Sequence, residues 1–292
     1  MAGYSPWDDQ YSVAGIRRSR PRRRLGLNPR LHIGLAMAGV AVMSYCSSIA
    51  VNPVTGKKQF VAMTVPQEIA LGLQSAPELA AQHGGVSRDQ RARAHVEQVG
   101  RRLLERSGLD TPYEFNFHLL ADPQTVNAFA LPGGQVFITE ALYRRLETDG
   151  QLAGVLGHEI GHVLERHAAE HLATAQLTQG LTGAAVLATY DPNNPSTRNT
   201  AAVAALIGQL VNLNYGRNDE LESDRWGVEL SAKGGYDPRA MMRVMEILRE
   251  AGGGGRQPEF MSSHPDPGNR IERIESLIRQ KFPQGVPSGL EP

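Results

Sequence analysis

The sequence predicts an α+β fold, mostly helical, with a small antiparallel-containing sheet beside one central helix. Three observations lead to it. Apolar residues recur at helical spacing through much of the chain after residue 60. Two short stretches, residues 113–120 and 135–139, are rich in large apolar and β-favouring residues, as strands are. Both precede an apolar run, from Gln151 to His167, that holds His158-Glu159-Ile160-Gly161-His162. With 292 residues, 41% hydrophobic and 21% charged, the chain suffices for a sizeable core and is not a low-complexity sequence.

The order of elements begins with a basic head. Residues 1–30 hold seven Arg and two Asp, so the head carries a net charge of +5 while the whole chain is neutral. The charge is local, which argues against a nucleic-acid-binding protein, and the segment is expected to be disordered. Residues 31–50 are an apolar run with a basic flank, the pattern of a signal peptide or a membrane anchor. Three fates follow from it: cleavage after Ala50, retention as an anchor, or lipidation of Cys46. Each puts the rest of the chain on the extracytoplasmic, periplasmic side, with the membrane as a partner through the N-terminal segment. Residues 51–281 are the folded domain and residues 282–292 a C-terminal tail. Cys46 is the single cysteine, which excludes an intrachain disulfide and a Cys-rich metal site.

Within the domain, a helix is expected around residues 66–72. A second begins at the capping box Ser87-Arg88-Asp89-Gln90 and carries Val96, Val99 and Leu103 inward. Asn127-Ala128-Phe129-Ala130-Leu131-Pro132-Gly133-Gly134 leads through a turn into the strand at 135–139, whose edge is expected to hold an extended peptide. Residues 181–190 and 201–211 are too short to cross a bilayer and suit core helices. Asn218 to Gly227 belongs to a helix stopped at Lys233-Gly234-Gly235, Asp237-Pro238 opens another, and a last helix carries Ile271, Ile274 and Leu277 on one face.

The chemistry starts at His158. Two residues four apart on a helix lie about 40° apart around the axis and about 6 Å along it, so both imidazoles face one ion. Glu159 is turned about 100° away and suits a base acting on water beside the metal. A catalytic zinc needs a third protein ligand. His167 is turned about 140° from His162 on a continuous helix, so it is expected to face away. Glu220 and Glu222 are the acidic candidates from a second helix. Asp224 favours Glu220, because it shares that helix face and can accept a hydrogen bond from the outer nitrogen of a ligand histidine.

HEIGHVLERH, preceded by NAFALPGGQVFITEAL, followed by YGRNDELESDRWG and trailed by SHPDPGNRI, resembles metallopeptidase family forty-eight, which includes the HtpX-like, BepA-like and CAAX prenyl proteases. The resemblance runs from about Asn52 to Leu277. It implies a mostly helical zincin domain of gluzincin type and a zinc metalloendopeptidase with one Zn2+ per chain. His158, His162 and Glu220 would be the ligands, Glu159 the base and acid, and Asp224 the support behind a ligand histidine. It also implies that Asn127, Ala128, Phe129, Gly133, Gly134, Gln135 and Val136 border the cleft for protein or peptide substrates, and that His264 and Arg270 are a catalytic pair that steadies the oxyanion. Ser223 and Gly216 depart from the residues usual in the family, and the chain is similar to its soluble, periplasmic branch. Two roles are consistent with this: proteolysis in envelope protein quality control, or a protease-derived chaperone or assembly factor with gated proteolysis, His264 being the gate.

Overall fold

One helix, buried along nearly its whole length, organises the architecture. The computed structural model describes residues 29–189, 215–253, 258–265 and 268–292. The basic head up to residue 28 and the expected helix at 201–211 lie outside the described residues. Helix α1 (Pro29–Ser47) leads into a hairpin of β1 (Ile49–Val51) and β2 (Lys58–Phe60), then α2 (Val65–Gln82) and α3 (Gln90–Ser107). Next come β3 (Asn116–Leu120), β4 (Ala128–Leu131), β5 (Gln135–Thr139) and the short α4 (Glu140–Tyr143). The central helix is α5 (Asp149–Leu164), followed by α6 (His167–Thr189), α7 (Arg217–Gly234), α8 (Ala240–Gly252), α9 (Glu259–Ser263) and α10 (Arg270–Lys281).

Helix α5 is capped by Thr148, whose hydroxyl accepts from the Gln151 N–H at 3.3 Å, and every residue from Gly150 to Leu164 is buried. A helix apolar on all sides has to be enclosed. Around it lie α7, α3 and α8, with the sheet of β4 and β5 on another side. Leu152, Leu156 and Ile160 join Val96, Leu103, Val136 and Ile138 in one apolar core. The small residues on α5 and α7 allow a close approach: a side chain at Gly157 would lie 3.2 Å from the Gly227 Cα, and one at Gly161 2.9 Å from the Ser223 Cα.

The sheet differs from its expectation in one respect that matters for the site. It has three strands in the order β3-β5-β4, with β5 parallel to β3 and antiparallel to β4. The strand expected as a free edge is therefore central, and all five of its residues are buried. The outer edge belongs to β4, where the sequence suggested only a lead into a turn. Thr139 N–H donates to the Asn127 carbonyl at 3.0 Å, so by antiparallel alternation Ala128 and Ala130 direct their main-chain groups away from β5.

Helix α1 packs along α6 and leaves Leu35, Val40 and Met43 60% or more exposed, with an apolar groove of about 540 Å³ between the two helices. No helix among the described residues is long and apolar enough to cross a membrane. Cys46 is a free, exposed thiol. At the other end, Glu291 pairs with Tyr236, and Gly150 at the start of α5 donates to the Pro292 carbonyl at 2.8 Å.

Candidate metal centre

Helical spacing on α5 brings the His158 and His162 Nε2 atoms 3.1 Å apart. Helix α7, pressed against α5, delivers Glu220: one carboxylate oxygen lies 3.5 Å from His162 Nε2 and the other 3.5 Å from His158 Nε2. Nitrogen and oxygen ligands at about 2.0–2.2 Å from a tetrahedral zinc stand about 3.3–3.5 Å from one another, so these separations suit such an ion. His264, arriving from the end of α9, completes a group of four whose ligating atoms all lie within 4.8 Å of one another. Its Nδ1 is 2.9 Å from Glu220 Oε1 and 3.4 Å from His158 Nε2.

The surroundings set the charge of this group. Asp224 Oδ1 lies 3.0 Å from His158 Nδ1, the outer nitrogen. Arg270 is almost fully buried, with Nη1 2.9 Å from Glu220 Oε2 and Nη2 2.7 Å from Asp224 Oδ1. Burial and Arg270 favour a neutral His158, but Glu220 and Asp224 outweigh them and raise its pKa to about 9. Burial pushes His162 well below the ordinary histidine value. Against burial, His264 and Arg270 hold Glu220 well below the usual carboxylate range. A neutral His162 and an ionised Glu220 are in the states that metal ligation requires, and the proton on His158 is one that a cation displaces.

Glu159 is fully buried, and neither of its oxygens has a hydrogen-bond partner among the described residues. His264 Nε2 is 3.6 Å from Oε1. Burial raises the Glu159 pKa. A carboxylate with this affinity for a proton, beside a cluster of atoms that could hold a metal ion, suits proton transfer to and from water.

A family model described as Peptidase family M48 matches residues 90–278. The chain belongs to that family. The M48 chain is 32% identical over 206 residues to the beta-barrel assembly-enhancing protease of Escherichia coli (strain K12), a stretch covering 66% of this chain and 40% of the relative. It is also 32% identical over 269 residues to the mitochondrial metalloendopeptidase OMA1 of Bos taurus, covering 86% of this chain and 50% of that protein. The match to the beta-barrel assembly-enhancing protease of Yersinia pestis is 28% over 269 residues, 90% of this chain and 54% of the relative. The chain thus spans about half the length of these relatives.

The other residues expected at the M48 site lie on the sheet and around the two histidines. Gln135 and Val136 are buried in the central strand, where β3 and β4 occupy both of its edges, so their main-chain groups are paired within the sheet. Gly133 and Gly134 make the tight β4–β5 turn at φ 84° and 111°. A side chain at Gly133 would meet the Ile69 backbone at 2.3 Å and one at Gly134 the Glu114 carbonyl at 2.7 Å, so neither position has room for one. Asn127, Ala128 and Phe129 remain on or beside the outer strand. Asn127 donates to Glu259 at 3.0 Å, and a small cavity beside His162 is lined by Ala130, Leu131 and Pro132. Arg270, expected beside the oxyanion, engages Asp224 and Glu220 and lies 3.1 Å from His158 Nδ1.

Two residues were missed or misread. Tyr215 is buried with its ring centroid 3.9 Å from that of His162; it heads the YGRNDELESDRWG motif, but only the acidic residues of that motif were given a role. His167 does not join the ligating group, but neither does it face away. Helix α5 ends at Leu164, Arg166 adopts φ 61°, and the reversal brings His167 Nδ1 to 3.0 Å from His162 Nδ1. Helical phase failed there because the helix did not continue.

Proposed function

We propose that the chain is a zinc-dependent metalloendopeptidase acting on envelope or membrane-associated proteins in quality control, with His158, His162 and Glu220 holding one Zn2+. The observation that carries this is the convergence of His158, His162 and Glu220 at metal-ligand separations beside the unpartnered, buried Glu159 carboxylate. When bound, the ion polarises the scissile carbonyl and makes water more acidic. An extended peptide adds to the outer edge of β4, where Ala128 and Ala130 offer main-chain groups. Glu159 takes a proton from the attacking water and passes it to the leaving amine, and its raised pKa suits a group that holds the proton between the two steps. Asp224 and Arg270 keep His158 and Glu220 oriented.

The N-terminal segment supports attachment to the membrane on the extracytoplasmic, periplasmic side: an arginine-rich head precedes α1, whose outer face is apolar and exposed. A second reading, a chaperone or assembly factor with gated proteolysis, is favoured by one contact. His264 is fully buried and lies against Glu220, where it competes with substrate and water.

Cleavage of casein by the purified chain, with and without a chelator and beside Glu159→Gln, tests both readings. Wild-type cleavage that the chelator abolishes, with Glu159→Gln inactive at unchanged zinc content, is the expected result; turnover by Glu159→Gln at the wild-type rate overturns the assignment. Under the gated reading, His264→Ala cleaves faster than wild type and keeps its zinc.

A further inference from the structure

The two ligand histidines are supported in different ways. His158 has a carboxylate, Asp224, at its outer nitrogen. His162 has a second imidazole: His167 Nδ1 at 3.0 Å from His162 Nδ1. Beyond it, His167 Nε2 is 3.3 Å from Glu222 Oε2, and the other Glu222 oxygen is 2.6 Å from Lys57 Nζ. His167 is 1% exposed. The Lys57 ammonium also reaches the buried Glu165 carboxylate at 2.9 Å.

We infer that His167 is a positioning residue for the metal centre, one that fixes the tautomer and rotation of His162 through a Glu222–His167–His162 relay anchored by Lys57. This rests on the reading of His162 as a ligand through Nε2. A neutral imidazole has one N–H and one bare nitrogen, so each hydrogen bond along the chain dictates the next. Ionised Glu222 only accepts, which places the His167 proton on Nε2. His167 Nδ1 is then bare and accepts from His162 Nδ1–H. His162 Nε2 is left with its lone pair aimed at His158 and Glu220, the state a metal ligand requires. Asp219 does not compete for this role, because its nearest oxygen is 3.9 Å from His167 Nε2 and its other oxygen is held by His171 at 2.8 Å.

The backbone around the relay is held by the β1–β2 hairpin. Asn52 Nδ2 donates to the Leu164 carbonyl at 2.8 Å and Gln59 Nε2 to the Glu165 carbonyl at 2.5 Å. These bonds satisfy carbonyls at the end of α5, where the chain turns through Arg166 and returns with His167. The same hairpin supplies Lys57. Residues more than 100 positions from Glu220 in the sequence thereby reach the ligand set.

The experiment compares wild type, His167→Leu, His167→Gln and Glu222→Ala as full chains. Zinc affinity is measured by competition with a chromophoric chelator, and metal-free protein is followed by thermal unfolding. Ring 15N shifts of histidine-labelled metal-free protein report the His162 tautomer. The expected result is a loss of zinc affinity of about 10–100-fold in His167→Leu, a smaller loss in Glu222→Ala, and recovery of most of it in His167→Gln, whose amide can both accept from His162 and donate to Glu222. The His162 Nδ1–H tautomer dominates in wild type and in His167→Gln, and is mixed in His167→Leu. Zinc affinity of His167→Leu within twofold of wild type, or His167→Gln as impaired as His167→Leu, overturns the inference. Absence of zinc binding by wild type overturns the metal reading instead, and the tautomer comparison still decides the relay.

Discussion

Glu220 reaches the two histidines only because α5 and α7 come unusually close, and one added methyl group tests this. A Cβ at Gly161 would stand 2.9 Å from the Ser223 Cα, 2.9 Å from the Trp226 Cβ and 3.1 Å from the Ser223 carbonyl oxygen. Nonbonded carbons settle at about 3.5–4.0 Å, so Gly161→Ala has to drive α7 back by roughly 0.6–1 Å. Two of these atoms are backbone, so side-chain rotation cannot relieve the overlap. Glu220 is three residues from Ser223, about 4.5 Å along the helix, and the displacement reaches its carboxylate little diminished. Metal–ligand distances tolerate only about 0.2 Å. Overpacking costs about 1–3 kcal/mol, against a gain of about 1 kcal/mol from replacing glycine by alanine within a helix. The expected outcome is a small fall in Tm, a few degrees at most, with a loss of zinc affinity of at least about tenfold. At Gly157 the closest contact is 3.2 Å, to the Gly227 Cα, and Gly157→Ala should weaken zinc less. Thermal unfolding and chelator competition read the two effects separately. If Gly161→Ala binds zinc as tightly as wild type, the helix spacing does not set the ligand geometry and the reasoning fails.

Two further outcomes concern the frame of the site. Arg166 and Glu68 form an ion pair with side chains only 3% and 2% exposed, and Arg166 Nη2 also donates to the Met63 carbonyl at 2.8 Å. Arg166→Met should cost about 3–5 kcal/mol in urea unfolding by leaving the Glu68 carboxylate buried and unpaired, and adding Glu68→Leu should restore part of that loss; a double variant as unstable as the sum of the singles contradicts this. Asp122 sits at the end of β3, and although burial works against it, the Thr125 and Gln124 N–H groups hold its pKa down at about 2. A carboxylate depressed on folding stabilises the protein above its unfolded value, and that contribution fades as pH falls through the folded value. Wild type should therefore exceed Asp122→Asn in Tm at pH 7, with the gap narrowing as pH falls from about 4 toward 2; a gap independent of pH excludes the charge as its source.

What the sequence made legible was what helical geometry alone controls. The four-residue spacing of His158 and His162, and that of Glu220 and Asp224, survives in the structure because each pair lies within one unbroken helix. The hidden parts depend on where elements stop and what they pair with. Residues 128–131 alternate alanine with larger apolar residues and carry only a weak strand signal, so β4 became visible only through its pairing with β5. Strand order is likewise non-local, and nothing within residues 135–139 states that β5 has neighbours on both sides. One missed signal was local: Gly157 and Gly161 on α5, and Ser223 and Gly227 on α7, repeat at four-residue spacing and mark the faces where the two helices meet.

His167 shows how one local break redirects a functional inference. Helical phase excluded it as a ligand, and the structure leaves it outside the ligating group. The premise was nevertheless wrong, since Leu164 ends the helix and Arg166 turns the chain in the left-handed region, a conformation unfavourable for a residue with a side chain. That conformation is held by the contacts of its own guanidinium with Glu68 and the Met63 carbonyl, which tie the turn to the start of α2. The Arg166–Glu68 pair thus fixes the turn, the turn fixes His167, and His167 meets the outer nitrogen of His162. With His162 as a proposed zinc ligand, this corner links the frame to the site, so Arg166→Met should weaken zinc binding as well as folding, even though no atom of Arg166 belongs to the proposed ligand set.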